Sequence, residues 1–132
     1  MNGTVYLSYS GRNCEAVLQV MEHLIYGGYG MVCDCLLPAH EPFDIRCSRA
    51  IGQASLVVAV ITVDAPQCEY MEQELRLAAE SKTTILPVLA GKAELPLQYR
   101  EILGETAFCR VSEYPTKQEM AAVMAAVAEY MQ

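Results

Sequence analysis

One segment of the sequence places four glutamates within thirteen residues, and carboxylates can move protons or stabilise positive charge. The segment reads CEYMEQELRLAAE over residues 68–80. Its acids are Glu69, Glu72, Glu74 and Glu80. Each carboxylate either takes part in chemistry or keeps the outer side of a helix hydrated, and its position around the helix decides between the two.

Helical periodicity separates Glu74 from the other three acids. At about 100° per residue, the apolar arc contains Met71, Leu75, Ala78 and Ala79, and Tyr70 and Leu77 extend it on one side. Glu74 falls between these two sets. Burial at that border would raise its pKa and strengthen its electrostatic effect. From geometry alone, a glutamate with no task at the flank of a helix remains an open alternative.

The other acids of the segment fit a solvated face. Glu69 and Glu80 fall on the opposite, polar side of the helix. Glu72 precedes Arg76 by four residues, which predicts an ordinary surface ion pair.

Other site chemistries lack their motifs. The loop SYSGRN holds one glycine, so the dinucleotide fingerprint and the P-loop are absent. A phospho-acceptor site could use Asp64, but YLSYS supplies no acidic cluster for it. His23 and His40 are isolated, which disfavours a nucleophile–histidine pair. The run CDC at residues 33–35 has no matching Cys or His pair, so we expect no metal site.

Five short apolar runs predict the β-strands that position these residues, and helical patterns lie between them. The predicted strands are residues 4–9, 31–35, 56–62, 83–90 and 107–111. The predicted helices are residues 17–25, 43–53, 68–80 and 97–103, and a last helix follows a capping box at residues 116–119. This alternation predicts an α/β fold, a parallel sheet with helices on both faces. Ligands of such sheets bind beyond the carboxyl ends of the strands, here the loops 8–13, 34–43 and 62–70.

Length and charge limit the function classes. The chain has 132 residues, which suits one domain over residues 1–132, and its net charge of −7 argues against a nucleic-acid partner. Arg12, Arg46 and Arg49 could still set a local field for a small anionic ligand. No apolar stretch is long enough to cross a membrane, and the N-terminus lacks a secretion signal. We therefore expect a cytoplasmic protein with reduced cysteines and no membrane partner.

Several segments, taken in order, resemble a bacterial TIR (Toll/interleukin-1 receptor) domain. They are VYLSYS, LVVAVIT, CEYMEQELRLA and ILPVL, together with a loop after the second strand that contains Asp34 and leads to Phe43, Ala50-Ile51 and Ser55. An aromatic residue, Tyr70, stands four positions before Glu74. The family commonly has Trp where this chain has Tyr70, and its loop often has a glycine that LLPAHEPF lacks.

The resemblance implies a flavodoxin-like sheet of strand order 2-1-3-4-5 and an enzyme that breaks the nicotinamide–ribose bond of NAD⁺. NAD⁺ would be the substrate, and no cofactor would be needed. Glu74 would be the catalytic carboxylate, and Tyr70 would pack along the nicotinamide riboside. The other implied substrate-binding residues are Tyr9, Ser10, Arg12, Asp34 and Phe43, with the loop around Phe43 covering the site. The product would be ADP-ribose, a cyclic isomer or a conjugate.

The resemblance also implies a biological setting and two rival functions. A bacterial TIR enzyme of this type would act in antiphage immune signalling, would self-associate through TIR–TIR contacts, and could signal to a separate effector protein. One rival is a non-enzymatic adaptor that acts only through TIR–TIR assembly. The other is an enzyme like the nucleoside 2-deoxyribosyltransferases, which share the fold and use a glutamate.

Overall fold

The computed structural model describes residues 3–10, 14–65 and 68–131. Arg12, one of the expected substrate-binding residues, lies outside this part of the chain. Within it, no helix combines the length and the apolar character needed to span a membrane.

Five parallel strands form a single sheet in the order β2-β1-β3-β4-β5, which confirms the predicted order. The strands are β1 (Thr4–Tyr9), β2 (Gly30–Val32), β3 (Leu56–Ile61), β4 (Ile85–Ala90) and β5 (Cys109–Val111). The helices are α1 (Glu15–Tyr26), α2 (Phe43–Gln53), α3 (Glu69–Glu80), α4 (Leu97–Leu103) and α5 (Lys117–Tyr130). Chain order reverses at β1, which pairs with β2 on one side and β3 on the other, so the crevice expected for a ligand lies beyond the carboxyl end of β1.

The sheet separates two apolar cores, and alternate residues of each strand enter opposite cores. Val5 and Leu7 of β1 face α1 and α5, whereas Tyr6 of the same strand faces α2, α3 and α4. Every residue of β3 and β4 is buried because helices cover both faces of these central strands. Polar side chains on the same face of β1 as Tyr6 are therefore held inside the protein.

The helix ends follow local sequence signals. The predicted capping box is confirmed at α5, where the Thr116 hydroxyl accepts from the Glu119 backbone N–H and the Glu119 carboxylate accepts from the Thr116 backbone N–H. Helix α1 ends at Tyr26, directly before Gly27 and Gly28.

The second strand is shorter than predicted. It ends at Val32, and Asp34–Leu36 form one turn of 3-10 helix in place of the last strand residues. The backbone N–H groups of Leu36 and Leu37 close this turn on the carbonyls of Cys33 and Asp34. The apolar pattern of this run did not indicate that Asp34 turns toward α2, where its carboxylate forms an ion pair with Arg46. Strands β4 and β5 also begin two residues later than predicted, at Ile85 and Cys109.

Candidate active site

Helix α3 carries Glu74 into the protein rather than to its surface. The side chain is 5% exposed and lies among the buried residues Met71, Leu75 and Ala78 of the same helix. This burial confirms the position read from the helical pattern. Ala79, which the pattern placed on the same arc, is exposed instead.

The outer face of α3 behaves as predicted. Glu72 lies 3.9 Å from Arg76 in an i,i+4 pair, with both side chains open to solvent. Glu69 and Glu80 are exposed. One carboxylate of the four is therefore buried, and the other three are hydrated.

Two hydroxyl groups of β1 hold the Glu74 carboxylate. The Ser8 hydroxyl donates to Oε1 at 2.9 Å, and the Tyr6 hydroxyl donates to Oε2. Tyr6 and Ser8 are two residues apart on the strand, so both side chains point to the face that α3 covers. A carboxylate offers about four lone-pair positions, so two remain for a ligand.

Opposing effects of burial and hydrogen bonding place the pKa of Glu74 close to neutral pH. Burial raises its pKa from 4.5 to about 7, and the negative charge of Asp34 acts in the same direction. The hydrogen bonds from Tyr6 and Ser8 oppose this rise because they favour the ionised form. A carboxyl group with a pKa near the working pH is typical of a catalytic site.

A cavity of about 820 Å³ opens next to Glu74. It is lined by Leu7, Tyr9, Ser10, Asp34, Glu41, Pro42, Phe43, Arg46, Cys68, Tyr70 and Glu74. The structure thus brings together every expected site residue in its described part: Tyr9, Ser10, Asp34, Phe43, Tyr70 and Glu74. The volume of this cavity falls in the range of about 300–1,000 Å³ that is usual for small-molecule sites.

Aromatic rings form one wall of this cavity. The rings of Phe43 and Tyr70 lie 5.0 Å apart between centroids and are inclined by 53°. The guanidinium carbon of Arg46 lies 5.5 Å from the centre of the Phe43 ring. Tyr70 is 64% exposed, so it is not a core residue and its ring is open to a ligand.

An ion pair fixes the segment between β2 and α2 at the cavity. Arg46 donates to Asp34 from Nε at 2.7 Å and from Nη2 at 3.3 Å, and to the Glu41 carbonyl from Nη1 at 2.7 Å. The hydrogen bonds from Arg46 lower the pKa of Asp34. Asp34 therefore remains ionised at neutral pH, with its charge matched by Arg46.

Ser10 joins the ends of two strands at the edge of the cavity. Its hydroxyl lies 2.8 Å from the Thr62 hydroxyl and accepts from the Thr62 backbone N–H at 3.1 Å. This link ties the loop after β1 to the loop after β3, across the point where the strand order reverses.

Three residues near Glu74 were not predicted from the sequence, namely Tyr6, Ser8 and Cys47. The Cys47 sulfur lies 3.3 Å from the Tyr6 hydroxyl and 3.5 Å from Oδ1 of Asp34. Burial raises the pKa of Cys47 to about 12, so this thiol stays neutral. The usable signal was in VYLSYS: polar residues at alternate positions of a strand covered on both faces must meet a buried partner.

A second cavity, about 930 Å³ in volume, lies at the carboxyl ends of β3, β4 and β5. Asp64, Lys92, Glu113 and Tyr114 are among its lining residues, and all four are exposed. It is larger than the cavity at Glu74, but it holds no buried ionisable group. Across the described ranges no cluster of His, Cys, Asp and Glu suits a metal ion.

Comparisons with known proteins agree with this architecture. A family model described as TIR domain matches residues 5–125. The TIR domains of the activated Roq1 resistosome, which directly recognises the pathogen effector XopQ, superpose with a TM-score of 0.74 at 15% identity, covering 95% of this chain and 99% of theirs. The TIR domain of the Toll-related receptor TRR-2 from Hydra magnipapillata gives 0.75 at 14% identity, covering 97% and 98%. These identities bear on the fold alone. No curated protein matches the sequence.

Proposed function

This chain belongs to the TIR domain family, and we propose that it cleaves the nicotinamide–ribose bond of NAD⁺. The observation that carries the proposal is the buried Glu74 carboxylate, held by two hydroxyls at the wall of an 820 Å³ cavity. A buried carboxylate requires a reason, because removing a charge from water is costly. Stabilising a cation that forms during a reaction is such a reason.

The chemistry suits one carboxylate. The C–N bond breaks with its electron pair going to the pyridinium nitrogen, so nicotinamide leaves as a neutral molecule and needs no acid. The ribose C1′ becomes an oxocarbenium-like cation, as in glycoside cleavage. Ionised Glu74 accepts hydrogen bonds from ribose hydroxyls and stabilises that charge. Water then bonds to C1′ and loses a proton, which gives ADP-ribose; an internal acceptor gives a cyclic product.

The cavity walls supply the remaining contacts of the proposal. Tyr70 and Phe43 offer aromatic faces to the nicotinamide riboside. Tyr9 ends β1 and Ser10 follows it, and both contact the ribose or the phosphates in this proposal. Arg12, which lies outside the described residues, is proposed to join them. Asp34 acts by pairing with Arg46, which holds residues 34–43 at the cavity. We call these residues the covering segment.

Self-association is part of the proposal. Leu36 and Ile45 are exposed apolar residues on the covering segment and on α2. Their burial against a second copy would press the segment that contains Phe43 onto the site and raise activity at high protein concentration. In this setting residues 1–132 act as one TIR domain in the cytoplasm, producing a signal for a separate effector during antiphage immunity.

A second candidate is a scaffold that acts only through TIR–TIR assembly. One observation favours it: both oxygens of Glu74 already accept hydrogen bonds from the protein, which would also satisfy a purely structural glutamate. A 2-deoxyribosyltransferase-like activity would need further acids or amides to recognise a nucleobase. Among the described residues that line the cavity there is no Asn or Gln, and the acids Asp34 and Glu41 are paired with Arg46 and Arg49, so this activity has less support.

The candidates differ in what the protein releases. The purified chain is incubated at high concentration, with and without a crowding agent, with NAD⁺ or with deoxynucleosides, and products are separated by chromatography. The proposal predicts nicotinamide from NAD⁺ and no free base from deoxynucleosides. Free base from deoxynucleosides would favour the transferase-like enzyme. An absence of release from either substrate, in samples shown by light scattering to be assembled, would favour the scaffold.

A further inference from the structure

Tyr6 occupies an unusual place for a phenol, because it is fully buried in the middle of the β-sheet with its hydroxyl next to an acid. That hydroxyl has two neighbours, Oε2 of Glu74 and the Cys47 sulfur at 3.3 Å. It carries one hydrogen and can donate to one of them at a time. The carboxylate is a stronger acceptor than the sulfur, so the Tyr6 hydroxyl donates its hydrogen bond to Glu74 whenever Glu74 is ionised.

We propose that Tyr6 is a positioning residue whose hydroxyl keeps the buried Glu74 carboxylate ionised and aimed at the cavity. The inference rests on the proposed function of Glu74. Ser8 fixes Oε1 and Tyr6 fixes Oε2, so the two bonds together set the plane of the carboxylate. The lone pairs that they leave unused are the ones available to substrate hydroxyls.

Tyr6 can do this because it stabilises a charge without adding one. Its burial raises its own pKa above the ordinary value, so Tyr6 remains a neutral donor at the near-neutral pH at which Glu74 titrates. A charged partner would instead have to be desolvated beside Glu74, at a cost that a hydroxyl avoids.

The other groups around Glu74 do not replace Tyr6. From the segment after β2, Asp34 disfavours the ionised form of Glu74, and Arg46 of α2 forms its ion pair with Asp34 rather than with Glu74. Cys47 of α2 is neutral. The Tyr99 hydroxyl of α4 donates to the backbone carbonyl of Ala65 at 2.9 Å, away from Glu74. Strands β3 and β4 present no ionisable side chain to this face. Ser8 is thus the one described group that shares the task.

The test compares two buried tyrosines in the same core. Tyr6→Phe removes the hydroxyl at Glu74, whereas Tyr99→Phe removes a buried hydroxyl that does not contact Glu74. The Glu74 side-chain carboxyl is titrated by ¹³C NMR, with its signal assigned by its loss in Glu74→Gln. Tyr6→Phe should raise the titration midpoint by about one pH unit, the effect of losing one hydrogen bond to a charged group. Tyr99→Phe should leave the midpoint in place.

Equal midpoints in the parent and Tyr6→Phe would overturn the inference, as would an equal rise in Tyr99→Phe. Should Tyr6→Phe fail to fold, 3-fluorotyrosine at position 6 keeps the ring and makes the phenol a stronger donor. The midpoint must then fall, and an unchanged midpoint again overturns the inference.

Activity is measured separately, as the pH profile of kcat/KM for NAD⁺. The acidic limb in Tyr6→Phe should move upward by the same amount as the NMR midpoint, with activity recovering at high pH. A limb that stays in place while the NMR midpoint moves would overturn the role of Tyr6 in the reaction. A parent protein with no activity at all would contradict the proposed function, and the NMR comparison would still decide whether Tyr6 holds Glu74.

Discussion

The hydroxyl of Ser8 on β1 lies 2.9 Å from Oε1 of Glu74 on α3, although 66 positions separate the two residues in the chain. The contact exists because β1 pairs with β3, and α3 follows β3 and packs back over β1. Both residues are almost fully buried. Strand β1 thus supplies hydrogen-bond donors to a carboxylate that would otherwise be unpaired in an apolar core.

Ser8→Ala should destabilise the protein and raise the pKa of Glu74, since Oε1 loses its donor inside the core. We expect the free energy of unfolding at pH 8 to fall by about 1–3 kcal/mol, the usual cost of an unmet buried acceptor. Urea denaturation measures it. Ser81→Ala, which removes an exposed hydrogen bond at the end of α3, is the control and should cost less than about 0.5 kcal/mol. Equal losses in both variants would argue against a special role for Ser8.

Glu74→Gln should be more stable than the parent at pH 8 and equally stable below pH 4.5. Because the folded-state pKa is about 7 and the ordinary value is 4.5, the folded protein binds the proton more tightly, and its stability falls as pH rises from 4.5 through 7. The difference in pKa corresponds to roughly 3 kcal/mol at most, so we expect a gain of about 1–3 kcal/mol at pH 8. Unfolding curves of both proteins at a series of pH values measure it.

Glu72→Gln is the matched control for that series. Its carboxylate lies two residues away on the same helix but pairs with Arg76 at the surface, so the change should stay within about 0.5 kcal/mol at either pH. A gain at pH 8 as large as that of Glu74→Gln would show that net charge, rather than burial of one carboxylate, sets the pH dependence.

Tyr70→Ala should weaken substrate binding with little loss of stability. The ring is exposed and its aromatic neighbour is Phe43, so its removal takes away a ligand face rather than core packing. We expect KM for NAD⁺ to rise roughly 3- to 10-fold, the value of one aromatic contact. Tyr26→Ala removes an even more exposed ring, which lies on α1 and is not among the residues that line the cavity at Glu74, and it should leave KM unchanged.

Asp34→Asn should lower the pKa of Glu74, whereas Ser8→Ala should raise it, so the pH profile of kcat/KM should shift in opposite directions in the two variants. Its negative charge raises the pKa of Glu74, so its removal should lower the acidic limb of kcat/KM by about half a pH unit or less. The loss of the Arg46 pair should also loosen the covering segment and raise KM. Asp44→Asn, an exposed change in the first turn of α2, is the control. A limb that moves upward would contradict this account of the charges.

The fold was largely readable from the sequence because hydrophobic period and turn residues are local signals. The capping box before α5 and the start of α2 at Phe43 are examples. Burial of Glu74 was also readable, since it follows from the helical angle. Its partners were not, because the contact of α3 with β1 depends on how the helix packs over the sheet. The turn at Asp34 was missed for the same reason: its cation, Arg46, belongs to another element.

The most direct test of the central claim is the rate of nicotinamide release by the parent, Glu74→Gln and Glu72→Gln, in assembled samples at pH 8. The account predicts that Glu74→Gln lowers the rate by about 100-fold or more, because it removes the charge that stabilises the cation, while Glu72→Gln stays within about twofold of the parent. A Glu74→Gln rate equal to that of Glu72→Gln would contradict it.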